Sequence, residues 1–167
     1  MSMECETVTL RPMTRELCRR FYREFENDPA IFADMSRFKP YVYDEAAVDR
    51  RFEAQQARDR RAFLVMLGER PVGEVILKHI DWVKRECSLS IHMVNDSVKN
   101  KGYGTQAERL ALRYAFDELD FLAVNADAVR KNTRSQHVLE KVGFRQVGED
   151  ETFLYYRCER NGDPCRT

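Results

Sequence analysis

Metal-ligand spacing, a net charge and a long apolar run are all missing from this sequence. Its 167 residues include only five cysteines and three histidines. Cys5, Cys18, Cys87, Cys158 and Cys165 are odd in number and widely spaced, and His79, His92 and His137 stand apart. No metal site is expected from such spacing. Free thiols in a reducing, cytoplasmic compartment fit the same pattern. No cysteine stands in a glycine-rich turn, which leaves a cysteine nucleophile without support. The longest apolar runs, such as Ala62–Leu67, are too short to cross a membrane. No apolar segment of the secretory kind stands near the start. Lys+Arg and Asp+Glu number 28 each, so nothing in the balance points to nucleic acid. A Walker A loop is absent, as is the third glycine of the dinucleotide fingerprint.

What is there is ordinary globular material, 43% hydrophobic and 34% charged. This suffices for one domain over residues 1–160, with a mobile tail over 161–167. Val8–Pro12 reads as a strand, and Thr14 caps a helix carrying Leu17, Phe21 and Phe25. Residues 27–43 read as a loop with one short helical turn. Asp44 caps a helix running to about Asp59, anchored by Val48 and Phe52. Strands follow at Ala62–Leu67, Val72–Trp82 and Cys87–Val94, the first two joined as a hairpin through Gly68–Pro71. A helix over Gly104–Leu119 has apolar residues at 107, 110, 111, 114 and 115. Strand Ala123–Val129, helix Thr133–Val142 closed by Gly143, and strands Phe144–Val147 and Thr152–Cys158 complete the order. Antiparallel strands followed by a β-α-β crossover predict an α+β domain with a mixed, mostly antiparallel sheet of about seven strands.

The most informative stretch is Val98-Lys99-Asn100-Lys101-Gly102-Tyr103-Gly104-Thr105. Two glycines two apart permit a tight turn and close approach to a ligand. The helix that starts there offers unpaired N–H groups and a positive dipole end, which suit a phosphate. Lys99 and Lys101 add charge. On spacing alone, a structural turn and a phosphate cradle both remain open.

The wider context resembles the GNAT acetyltransferases. Residues 92–107 resemble the family's acetyl-CoA motif, Gln/Arg-x-x-Gly-x-Gly/Ala. Residues 132–144, Asn132-Thr133-Arg134-Ser135 through Lys141-Val142-Gly143-Phe144, resemble its second signature. The subgroup most similar is the ribosomal-protein N-terminal (alanine) acetyltransferase-like branch. The resemblance implies a V-shaped split between two central parallel strands, Cys87–Val94 and Ala123–Val129. Acetyl-CoA would lie there as co-substrate. Pantetheine would pair with backbone near His92, Met93 and Val94, and the diphosphate would rest on the amides of Lys99, Asn100, Lys101, Gly102, Tyr103, Gly104 and Thr105. Asn132 would face the pantetheine arm or thioester, and a backbone N–H near Val94 would polarise the thioester carbonyl.

Two departures from the family matter. Lys99 stands where Gln or Arg is usual, and Leu139 stands where many members carry a tyrosine that protonates the leaving thiolate. Ser135, one turn earlier, is the candidate replacement, with a helix-start hydroxyl bonding backbone as its alternative. His92, Glu74 and Glu86 are candidate general bases, the subgroup's usual glutamate position being taken by Leu89. Trp82, Phe38, Tyr41 and Tyr43 are candidates for the acceptor pocket. The expected activity is N-acetyl transfer to a primary amine by direct attack. An α-amino group, pKa ~7.7–8.0, is far more often free base at neutral pH than a lysine amine of pKa ~10.4. This favours a peptide N-terminus, with a polyamine or aminoglycoside as the small-molecule options. A non-catalytic acetyl-CoA-binding sensor or scaffold is the alternative. A monomer and a homodimer through the last strands are both open.

Overall fold

The computed structural model describes residues 7–160. Cys5, Cys165 and the expected tail therefore lie outside the described residues. Seven strands form one sheet in the order β1-β2-β3-β4-β5-β7-β6. They are β1 (Thr9–Pro12), β2 (Arg61–Leu67), β3 (Arg70–Asp81), β4 (Glu86–Met93), β5 (Ala123–Val129), β6 (Arg145–Glu149) and β7 (Phe153–Glu159). Four α-helices accompany them: α1 (Arg15–Glu24), α2 (Glu45–Ala54), α3 (Tyr103–Arg113) and α4 (Thr133–Val142). Every neighbouring pair is antiparallel except β4 and β5, which run parallel. The expected fold class is the one observed.

Local chemistry sets the helix starts. Thr14 Oγ1 accepts from Leu17 N at 3.2 Å, Asp44 Oδ1 from Ala46 N at 3.1 Å, and Asn132 Oδ1 from Ser135 N at 3.1 Å. At the far end of α4, Gly143 takes φ 114°, a left-handed value that closes a helix without a Cβ clash. Met35–Arg37 supplies the expected short helical turn in the loop before α2.

Strand ends shift from expectation by one or two residues, and two helix ends by more. Helix α2 stops at Ala54 rather than near Asp59. No apolar anchor follows Phe52, and Gln55 turns inward to accept from Arg60 at 3.2 Å. The helix expected over Gly104–Leu119 is α-helical only to Arg113. It widens into a π turn over Tyr114–Glu118. That turn keeps Ala115 and Phe116 buried and lets Phe121 N reach Ala115 O at 2.9 Å.

Strand β3 is buried along nearly its whole length, as a central strand covered on both faces must be. Helices α1 and α2 supply Tyr22 and Arg51 to Glu74 on one face. Helix α3 packs on β1, β3 and β4. The described cysteines Cys18, Cys87 and Cys158 are all buried, and none is in a disulfide. Burial pushes the Cys18 and Cys87 thiols up to about 12, so both remain neutral at physiological pH.

The decisive feature is where β4 and β5 part. Their ladder comprises only Glu86↔Ala123, Cys87↔Val124 and Ser88↔Asn125, yet β4 continues to Met93 and β5 to Val129. Arg157 braces the junction, donating to Glu86 at 3.0 Å and to Asn125 at 3.1 Å. Beyond it the strands diverge, which is the V-shaped split.

Candidate active site

A cavity of about 900 Å³ opens where the strands diverge. Its walls come from the end of β4, the turn into α3, the first turns of α3 and α4, and the loop after α1. Val94 N donates to Val72 O at 2.9 Å, and Glu74 lies opposite His92 in the β3–β4 register. Antiparallel alternation then turns the amides of Ile91 and Met93 away from β3, toward β5. No β5 rung reaches that far, so these groups have no strand partner among the described residues. The structure thus moves one expectation. The Val94 N–H is committed to β3, its carbonyl accepts from Glu26 N at 3.0 Å, and its side chain is fully buried. Met93 and Ile91, not Val94, carry the free backbone in the split.

The glycine turn forms the adjoining wall. Asn100 and Gly102 take left-handed φ values of 61° and 82°. Gly102 then stands at the N-terminal cap of α3 and, being glycine, supplies no side-chain cap. A Cβ added at Gly104 would meet nothing within 4 Å, so no protein packing demands glycine there. The open space beside a bare helix start is where a diphosphate fits. Asn100, Gly102, Tyr103, Gly104 and Thr105 line the cavity, whereas Lys101 does not.

Lys99 lines the cavity but is already engaged. Its ammonium bridges Asp28 and Asp96. Burial alone would lower its pKa, but the bonds to Asp28 and Asp96 raise it instead, and the Lys99 bond holds the Asp28 carboxyl below its ordinary value. The charge expected for phosphate therefore also ties the loop after α1 to the glycine turn. Asn95 Nδ2 donates to Glu24 O at 3.0 Å and strengthens that tie.

Asn132 and Ser135 line the cavity at the start of α4. The Asn132 carbonyl is used as the helix cap, and the Ser135 backbone is its donor. Leu139 is buried in the core at 2% exposure and offers no proton.

Of the three candidate bases, only His92 lines the cavity. Its ring is exposed to that space, but protein surrounds it. Desolvation lowers its pKa below the ordinary histidine value, with Glu74 opposing and Arg51 and Lys78 assisting. Glu74 is fully buried elsewhere. It accepts from Tyr22 Oη at 2.9 Å and from Arg51 Nη2 at 2.5 Å. Glu86 holds Arg157 at the apex of the split. Trp82 stands away from the cavity, packed on Phe121 at 5.5 Å with the Arg61 guanidinium over its other side. Tyr41 packs on Tyr22 and Phe25, and neither Tyr43 nor Phe38 reaches the wall. The wall after α1 is built instead by Phe25, Ile31 and Phe32, with the acidic Glu26, Asp28 and Asp34. Aromatic count alone could not separate Phe25 and Phe32 from their neighbours. The cavity also has an unexpected wall residue, Glu108 of α3, buried at 1% exposure. Among the described residues no group of three or more His, Cys, Asp or Glu could hold a metal, and no helix is long and apolar enough to cross a membrane.

Known proteins resemble this chain in sequence and in fold. The chain is 26% identical over 145 residues to the spermidine N(1)-acetyltransferase of Escherichia coli (strain K12), a match covering 86% of this chain and 75% of that one. It is 31% identical over 83 residues to YdaF of Bacillus subtilis (strain 168), a protein provisionally named a ribosomal N-acetyltransferase, covering 50% of this chain and 45% of the other. Among solved structures, spermidine N-acetyltransferase from Vibrio cholerae in complex with CoA and spermine has the same fold, with a TM-score of 0.78 over 93% of this chain and 97% of that one at 18% identity. Residues 7–145 match the family described as the acetyltransferase (GNAT) domain. The parted parallel strands, the bare helix start and this match across most of the chain make it a member of the GNAT family, an acyl-CoA-dependent N-acetyltransferase.

Proposed function

We propose that the chain transfers acetyl from acetyl-CoA to a primary amine of a small cationic acceptor of the polyamine kind, by direct attack in the cavity of the split. The observation that carries the donor half is the pairing of a bare α3 start with the unpartnered amides of Ile91 and Met93 in one cavity. Diphosphate would sit on the amides of Gly102–Thr105, the arm would run past Ile91 and Met93, and Asn132 would face it. An amide of that free edge would stabilise the developing oxyanion. Attack by the amine nitrogen on the thioester carbon forms the C–N bond, expels thiolate and leaves a proton to be removed from nitrogen.

The acceptor half rests on Glu26 and Asp34, which line the cavity mouth and suit a ligand with several ammonium groups. Two of the relatives above are spermidine N-acetyltransferases. This reading places the chain with a small-molecule branch in preference to the ribosomal-protein branch. The test is CoA-thiol release with spermidine, spermine, an aminoglycoside and peptides bearing free N-termini. Polyamines should exceed peptides at least tenfold in kcat/KM. Peptides leading the series would reverse the acceptor assignment, and acetyl-CoA binding without thiol release on any amine would favour the sensor alternative.

His92 serves as the base that takes the nitrogen's proton, directly or through water. A base works deprotonated, so activity falls as pH drops through its pKa. Because burial lowers that pKa, the acid limb of kcat/KM should lie below the ordinary histidine value of about 6.5. His92→Gln should remove the limb and cost about 100-fold in kcat/KM. An unchanged acid limb in that variant would exclude His92.

A further inference from the structure

Thioester cleavage moves two protons. His92 is proposed to take one from nitrogen. For the other, the Ser135 hydroxyl on the cavity wall is the candidate drawn from the sequence, though a hydroxyl is a far weaker acid than a thiol. The amine sheds a proton, and the sulfur must gain one. Leu139 and its apolar neighbours in the core supply nothing for the second.

Glu108 lies one turn beyond the bare start of α3. Four residues from Gly104 along the helix is about 6 Å, and both residues line the same cavity. The helix phase puts Glu108 on the stripe of Gly104, Ala111 and Ala115, all small, of which Ala111 and Ala115 are fully buried while Gly104 borders open space. Its exposure is 1%, less than that of any other ionisable group on the cavity wall. Oε2 has no hydrogen-bond partner, although it is shut away from solvent. A carboxyl in that state belongs to no structural network. A buried polar atom without a partner is costly, which is a reason to ask what ligand it meets.

We propose that Glu108, as the neutral carboxylic acid, protonates the thiolate of CoA as it leaves. The assignment rests on the acetyl-transfer reading above. With its diphosphate on the amides at the start of α3, acetyl-CoA would carry its thioester end into the same cavity, whose wall Glu108 shares with Ile91, His92 and Met93. As the amine nitrogen closes on carbon, the C–S bond breaks with its electron pair on sulfur. The Glu108 O–H proton passes to that sulfur and gives CoA thiol. The proton lost by nitrogen goes to His92 or water, and Glu108 is reprotonated from solvent once products depart. One proton leaves nitrogen and one reaches sulfur.

Burial supports the required protonation state, because it pushes the Glu108 carboxyl up to about 8. A thiol has a pKa near 8.5, so donor and acceptor are closely matched. No charge assists or opposes this. The ionisable groups sharing the cavity wall are His92 on β4, Arg134 on α4, Asp96 and Lys99 in the β4–α3 turn, Tyr103 on α3, and Glu26, Asp28, Asp34 and Arg37 after α1. None contributes to the shift, whose sole cause is loss of water.

The test compares wild type, Glu108→Gln and Glu108→Leu by acetyl-CoA calorimetry and by kcat against pH. In wild type, kcat should fall as pH rises through about 8, since the acid must be protonated. Glu108→Gln keeps the shape but cannot serve as the acid. It should bind acetyl-CoA within about threefold of wild type, lose 10- to 100-fold in kcat, and lose the alkaline limb. Glu108→Leu should show the same kinetic losses, which guards against a packing defect peculiar to Gln. Wild-type kcat that stays flat from pH 7 to 10, or Gln and Leu variants that keep both rate and limb, overturns the assignment while leaving the acetyl-transfer reading intact. A wild-type protein that binds no acetyl-CoA overturns that reading, and this one with it.

Discussion

Gly104→Asp should leave the protein at least as stable as wild type and abolish acetyl-CoA binding. The two halves of this expectation come from different physics. A Cβ at residue 104 meets no protein atom within 4 Å, so the fold has room for the new side chain. Replacing glycine by aspartate in a helix gains only about 0.2–0.3 kcal/mol, since Asp ranks just above Gly in helix propensity. A carboxylate in the first turn gains a further 0.3–1 kcal/mol or so from the helix dipole. Thermal melting of the free variant should therefore match or exceed wild type. The same carboxylate occupies the space in front of the amides and repels a diphosphate, so binding should weaken by about 1,000-fold or more. A ligand at 100 times its Kd stabilises by about 2.7 kcal/mol, or roughly 5–10 °C for a domain of this size. Wild type should show that shift with CoA, and Gly104→Asp should show none. An equal shift in both proteins would mean that the diphosphate lies elsewhere.

Arg51→Met should be the most destabilising single change among those considered. Glu74 is fully buried, and Arg51 is its only charged partner among the described contacts. Removing one member of such a pair leaves a bare charge inside the protein, at about 3–5 kcal/mol. The Arg51 side chain is 36% exposed. Water can therefore reach part of the vacated space, which favours the lower end, near 3 kcal/mol. That corresponds to a fall in Tm of about 6–12 °C. Adding Glu74→Gln should recover at least half of the loss, because a neutral amide oxygen still accepts from Tyr22 and no charge remains stranded. Glu74→Gln alone should keep turnover within a few-fold of wild type, since both carboxylate oxygens are engaged away from the cavity. A 100-fold loss in kcat at unchanged Tm would restore Glu74 as a base.

These two residues also mark what was legible in the sequence. The glycine turn and α4 were readable because their causes are local. Asn132 caps α4 and Gly143 closes it within ten helical residues, so the bounds of α4 follow from residue type and spacing. The order of elements followed from the change of apolar period, and the parallel pair from the crossover. Glu74 was harder. A carboxylate inside Val72–Ile76 points either to a cleft or to solvent on sequence grounds, and the third outcome, capture by α1 and α2, depends on contacts 52 and 23 residues away. Trp82 was drawn to the cavity by its type, whereas β3 places it beyond the apex of the split. Whether Met93 or Val94 offers its amide to the split turns on one residue of register, which sequence spacing does not fix. Glu108 left a faint signal, a lone charge on the small-residue stripe of α3, which reads as an ordinary helix glutamate until the stripe is known to face a cavity.

The three-rung ladder between β4 and β5 gives the ligand an unusual status. The sheet here is two partial sheets, one of β1–β4 and one of β5, β7 and β6, joined over a length of only three residue pairs. An extended amide-bearing chain lying between them satisfies the backbone that the missing rungs leave bare, much as an added strand completes a sheet edge. On the acetyl-transfer proposal, the arm of the acyl donor would be a temporary eighth member of the sheet, and each catalytic cycle would mend and unmend the fold.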